Sequence, residues 1–206
     1  MKKFKLLLML PLLMAVTIGF NSCSDDDPTP LEGDETVIDV SASWDTWNYF
    51  SFAQGKVIGT GKADAENDAL WKERTDWDIA FNRLYARTNS GTSGKGQGGV
   101  IEIEPTNDSK TQVFTNLAVA PATGYVVDAE VKDMMISMPP VYYTASGSAT
   151  INSWLTMNGM NIIQAPKVLV IKTADGKYAK MYLKNYKNEE DKTGYVTFEY
   201  IYQANG

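Results

Sequence analysis

Lys167-Val-Leu-Val-Ile-Lys172, then Thr173-Ala-Asp-Gly176, then Lys177-Tyr-Ala-Lys-Met-Tyr-Leu183 leaves little choice of local structure. Both arms are rich in β-branched, aliphatic and aromatic residues, and Asp175-Gly176 between them suits a tight turn needing positive φ. The spacing predicts a β-hairpin. Gly194 to Gln203 continues in the same mode, with Val196, Phe198, Tyr200 and Tyr202 alternating against Tyr195, Thr197, Glu199 and Ile201. One face of that strand is expected to be buried and the other wetter. Thr36 to Val40 and Trp47 to Phe52 are further short runs bounded by turn formers. Ala63 to Lys72 carries too many Glu, Asp and Asn side chains for a long buried helix, so it is expected to form a turn or two that brings Trp71 inward. The fold class expected is all-β, predominantly antiparallel, with few short helices.

The N-terminus reads as an address rather than as fold. Met1-Lys-Lys-Phe-Lys5 precedes an apolar run from Leu6 to Phe20, then Asn21-Ser22-Cys23. A basic start and a short apolar stretch make a secretory leader, too short and wrongly flanked for a membrane span. Cys23, the single cysteine of 206 residues, resembles the acylated lipobox cysteine of bacterial lipoproteins, with Phe20 in place of the usual leucine. Ser24-Asp25-Asp26-Asp27 resembles the surface-export signal of lipoproteins in Gram-negative anaerobes, and Pro28 to Gly33 reads as an extended linker. The expected division is a signal peptide over 1–22, an acidic and proline-containing tether over 23–34, and a β domain over 35–206. Membrane contact would be through the lipid anchor alone, at the outer membrane, with the protein exposed on the cell surface or released from it. Three of the 19 basic residues lie in the leader and none of the 25 acidic ones, so the mature chain is more acidic than the full one. That balance argues against nucleic acid. With one cysteine no internal disulfide can form, and stability must come from a hydrophobic core.

Catalysis finds little footing. No histidine is present, so neither a Ser/His or Cys/His unit nor a zinc constellation of the usual type can be assembled. Glu102 and Glu104 fall on one face of a strand, where alternating acids usually face solvent. The chain is expected not to be an enzyme. Asp76 to Val100 reads as a strand running into a glycine-rich loop; without the Gly-Lys-Ser/Thr that opens a helix in a phosphate-binding loop, its glycines are expected to permit close backbone crossings.

Trp77-Asp-Ile-Ala-Phe-Asn-Arg83, followed by Thr88-Asn-Ser-Gly-Thr-Ser-Gly-Lys-Gly-Gln-Gly-Gly99, resembles the signature of the HmuY-like haem-binding lipoproteins. Trp47-Asn-Tyr-Phe-Ser-Phe52 with Gly55, Ala174-Asp-Gly-Lys-Tyr-Ala-Lys180, Asn185-Tyr186 and Gly194-Tyr-Val-Thr-Phe-Glu-Tyr200 agree in order. The resemblance implies a right-hand-shaped β fold and haem held between two loops or hairpins near the thumb. It further implies a haemophore that takes haem from host haemoproteins or from neighbouring cells and passes it to an outer-membrane TonB-dependent haem receptor. A relative of the same fold that binds another ligand or a protein partner is the alternative.

The founding members grip iron with two histidines, a pair this chain cannot supply; other members resemble it in using methionines. Met134, Met135, Met138, Met157 and Met160 cluster between Gly124-Tyr-Val-Val-Asp128, which reads as a strand, and the Lys167 strand. By that resemblance Met138, ahead of Pro139-Pro140, and Met160, beyond Asn158-Gly159, are the first choice of axial ligands, with Met135 and Met157 as alternates. Met135 is expected to share a strand face with Val131, and Met134 with Ile136, which suits packing. A turn at Ser146-Gly147 would bring the two ligand segments face to face. Tyr142, Tyr143, Ile162 and Ile163 are candidate pocket walls. Thioethers are soft, neutral ligands that favour ferrous over ferric iron.

Overall fold

In the computed structural model, residues 33–159 and 161–203 are described. The expected leader, Cys23 and Met160 lie outside them.

The strands are β1 (Asp34–Asp39), β2 (Thr46–Ser51), β3 (Lys56–Lys62), β4 (Ile79–Asn82), β5 (Tyr85–Thr88), β6 (Gly99–Glu102), β7 (Ala129–Met135), β8 (Tyr142–Gly147), β9 (Leu155–Asn158), β10 (Asn161–Gln164), β11 (Lys167–Lys172), β12 (Tyr178–Lys187) and β13 (Thr193–Gln203). Three short helices, α1 (Ala65–Lys72), α2 (Lys110–Asn116) and α3 (Ala149–Asn152), fall between them. All named strand pairs are antiparallel. One sheet has the order β1-β13-β12-β11-β6 and a second β3-β2-β4-β5, while β7-β8 and β9-β10 stand as separate two-stranded sheets. The expected all-β class is what the chain adopts.

Alternation explains where the core sits. In β13, Val196, Phe198 and Tyr200 are buried while Tyr195, Thr197 and Glu199 are partly exposed. The buried face meets Leu169, Ile171, Met181 and Leu183 from the same sheet and Phe50, Ile79 and Phe81 from the other, in one continuous core. The opposite face of the second sheet presents Trp47, Tyr49 and Ala80 to Trp71 and Trp77, with Met134 and Ala145 closing the cluster. Tyr49 stacks on Trp71 with centroids 3.6 Å apart, which is the inward role expected of α1. Asp64 caps that helix by accepting from the Asn67 amide at 2.8 Å, satisfying one of the N–H groups that a helix start leaves bare.

The glycine-rich loop is a wrapping for two buried polar side chains. Asn89 donates to the Arg74 and Trp77 carbonyls and accepts from the Gly96 amide. A Cβ at Gly94 would lie 2.0 Å from Asn89 Oδ1, and one at Gly91, where φ is +52°, would lie 2.1 Å from the Asp128 carbonyl oxygen. Only bare backbone can pass this close.

Four local expectations change. Asp76 to Val100 holds a hairpin rather than one strand: β4 and β5 pair, and the chain reverses through Arg83 at φ +36°. Arg83 is held there by donating to the Ser41 carbonyl at 3.0 Å while its guanidinium covers Trp44. Gly124 to Asp128 makes a single bridge, Val126 to Val100, in place of a strand. Ser146-Gly147 belongs to β8, and the return is made by α3, whose N-cap Ser148 accepts from the Ile151 amide. Glu102 is no exposed acid, since it pairs with Lys167 where both side chains are largely buried.

Candidate functional site

The methionine segment is built on β7 and β8, and its faces are decided by one extra residue. Val131 pairs with Ala145 and Met134 with Tyr143, so three steps along β7 match two along β8, with Asp133 at φ +55° in the gap. This is a β-bulge, and a bulge reverses the parity of every side chain beyond it. Met134, not Met135, therefore shares a face with Val131, contrary to the regular alternation expected. Met134 is driven into the tryptophan cluster and is 1% exposed. Met135, opposite Tyr142, is turned to the other side.

There it lines a cavity of about 280 Å³ with Leu84, Tyr85, Tyr142, Asn152, Leu155 and Met157. Leu84 and Tyr85 come from the β4–β5 reversal, Asn152 from α3, and Leu155 with Met157 from alternate positions on β9. Leu84 and Leu155 are nearly buried and form the base, whereas Tyr142 and Met157 stand at the rim, 60% and 49% exposed. Ile162 pairs with Met157 and packs against the main core beside it, and Ile163 is exposed. The base is fixed by hydrogen bonds that cross between elements: Met135 N–H donates to the Tyr85 hydroxyl at 3.0 Å, and Ala86 N–H donates to Asn152 Oδ1 at 2.6 Å. The lining is more apolar than polar, and no charged side chain belongs to it. The volume is near the lower end of that of small-ligand pockets.

The structure thus brings together Met135, Met157 and Tyr142 of the residues singled out in the sequence. Met138 lies on the loop between β7 and β8 and is 59% exposed, outside this lining. β9 and β10 pair Asn158 with Asn161, so the chain reverses beyond Asn158, with Gly159 at φ +63°. Leu84, Tyr85, Asn152 and Leu155 were not anticipated. The i, i+2 relation of Leu155 to Met157 is the one signal that could have revealed any of them; the two β4–β5 residues are brought in by tertiary folding.

Tyr143 points the other way. Its hydroxyl meets Asp68 at 3.3 Å, and burial raises the phenol to about 12. Asp68 also pairs with Arg87 at 2.8 Å, and the Arg87 side chain is 2% exposed beneath Trp47, with its guanidinium 3.9 Å from the ring centroid. A polar cavity of about 270 Å³ opens beside this network, lined also by Lys72, Ser93 and Glu130. The buried Arg87 and the part-buried Asp68 neutralise each other and hold α1 to β5, a structural arrangement. Among the described residues, no group of three or more His, Cys, Asp or Glu side chains could hold a metal ion. A metal held by an organic macrocycle needs no such cluster, and two thioethers beside an apolar cavity suit one.

Comparison with known proteins adds the following. A family model described as HmuY protein matches residues 43–200, which is most of the chain. A protein of Bacteroides vulgatus assigned as HmuY-like and haem-binding is 27% identical in a solved structure, with a TM-score of 0.64 over 83% of this chain and 92% of that one. The apo HmuY analogue of Tannerella forsythia is 24% identical, with a TM-score of 0.61 over 84% and 96%. A Bacteroides fragilis protein assigned as a lipoprotein is 23% identical in its solved structure, with a TM-score of 0.64 over 84% and 90%. No curated protein sequence matches the chain.

Proposed function

The chain belongs to the HmuY family, and from that membership we propose that it binds haem in the cleft between the β7–β8 and β9–β10 hairpins. The observation that carries this is the apolar cavity onto which Met135 and Met157 converge from separate hairpins. Two neutral sulfurs would hold the haem iron, and Met135 with Met157 is the pair already at the lining. Met138 with Met160, the pair favoured by sequence resemblance, remains the competing assignment.

Most of the affinity would come from covering the porphyrin. Burying on the order of 400 Å² of apolar surface at ~25 cal/mol/Å² amounts to ~10 kcal/mol before association costs. The sulfurs would hold the iron and favour its ferrous state, so affinity should fall on oxidation. In the cell, the protein would be lipid-anchored through Cys23 at the outer membrane, facing outward. It would act as a haemophore, taking haem from host haemoproteins and passing it to a TonB-dependent receptor.

The test is a titration of purified protein with ferric and then dithionite-reduced haem. The wild type should give a sharp low-spin ferrous spectrum, which Met135→Ala with Met157→Ala abolishes and Met138→Ala with Met160→Ala leaves in place. Loss only in the second double variant would transfer the ligand role to that pair. No Soret change with the wild type in either oxidation state would eliminate haem and leave a relative that takes another ligand or a protein partner.

A further inference from the structure

Met135 is held by more than its own strand. Its N–H points away from β8, since the neighbouring ladder bond is made by the Ile136 amide to the Val141 carbonyl at 2.8 Å. On the outer edge of β7 that N–H would face only solvent or the cavity, but it donates to the Tyr85 hydroxyl, fifty positions earlier in the chain, at 3.0 Å. Tyr85 in turn cannot swing freely. It pairs with Asn82 across the β4–β5 reversal, packs against both hydrophobic clusters, and lies beside an amide, that of Ala86, fixed by Asn152. Two other determinants act on where Met135 points: the bulge at Asp133 sets which side the residue faces, and the burial of Met134 in the tryptophan cluster holds the residue before it. A two-stranded hairpin is weakly anchored on its own, so contacts from the body of the domain decide where its end comes to rest, and the Tyr85 hydroxyl is the one made directly to Met135.

We infer that Tyr85 is a positioning residue for the Met135 sulfur: its hydroxyl pins the end of β7 to the main body, so that the thioether is presented to the cavity already in place. This rests on the haem reading above. Ligand sites gain from supporting contacts that restrict the coordinating side chain before the ligand arrives. Removal of the hydroxyl should therefore loosen Met135 without emptying the cavity, because the ring of a phenylalanine fills the same space.

Tyr85→Phe separates these effects, and the haem-free protein comes first. Amide hydrogen exchange at Met135 should quicken by roughly fivefold, the loss of one hydrogen bond, while the β11–β12–β13 amides stay as in the wild type. Unchanged exchange at Met135 would overturn the pin. With reduced haem, Tyr85→Phe should dissociate roughly fivefold faster and shift the midpoint potential; in a Met135→Ala background, the same substitution should have no further effect on either. Equal losses in both backgrounds would mean that Tyr85 acts on the cavity generally and not through Met135. If the wild type takes up no haem, the proposed function fails and the positioning role with it, whatever the exchange shows; if it takes up haem and Tyr85→Phe behaves as wild type, the function stands and only the positioning role is lost.

Discussion

Asp128 gives the sharpest test of the physical account of this domain. It sits immediately before β7, beneath the glycine-rich loop, and is 2% exposed. Its carboxyl accepts from Thr88 N at 2.8 Å, Thr88 Oγ1 at 2.7 Å and Ser93 Oγ at 2.6 Å. Those donors and the nearby Arg87 charge favour the ionised form, but burial outweighs them and pushes the group from 3.8 to about 6. The folded-state value lies above the unfolded one. The group's contribution to stability is therefore full below about 3.8 and is lost as pH rises through about 6. A shift of that size is worth roughly 3 kcal/mol at 1.36 kcal/mol per unit. Asp128→Asn removes the titration and keeps the shape: its oxygen can accept from Thr88 N and Ser93 Oγ, and its amide can donate to Thr88 Oγ1, which turns to accept. Urea denaturation of both proteins from pH 4 to 8 measures the difference. The variant should match or fall slightly below the wild type near pH 4 and gain on it by roughly 3 kcal/mol by pH 7.5, with the bend near pH 6. Asp78, also raised by burial, is present in both proteins and cancels from the difference. A difference that does not vary with pH, or that runs in the opposite sense, would refute the reasoning that desolvation dominates at this site.

Two further expectations concern packing. Gly94→Ala puts a Cβ 2.0 Å from Asn89 Oδ1, so Asn89 must give up its bonds to Arg74, Trp77 and Gly96; a loss of about 3 kcal/mol or more in chemical denaturation is expected, and a loss under about 1 kcal/mol would show that the loop adapts. Met134→Ala should cost about 2–4 kcal/mol by the same assay, because it opens a void among tryptophans, while Met138→Ala at its exposed position should stay within about 0.5 kcal/mol. Comparable losses from both would contradict the bulge-directed facing of β7.

The sequence by itself determined the all-β class, the β11–β12 hairpin and the burial phase of β13. In each case the information is local: alternation and the turn residues lie within a few positions of one another, and the sheet has only to honour them. The glycines of the 91–99 loop were legible as points of close approach for the same reason, since a missing side chain implies a neighbour where it would stand. Tertiary structure alone decided which methionine faces what. A single residue with positive φ at Asp133 exchanges Met134 and Met135 between core and cavity, and pattern reading assumes that no such insertion is present. The rest of the cavity was out of reach because Leu84, Tyr85 and Asn152 belong to separate elements, joined to the methionine hairpin by contacts that no sequence spacing encodes. Strand character follows from neighbours along the chain, whereas the position of a sulfur relative to a pocket depends on register and on what the rest of the chain packs behind it.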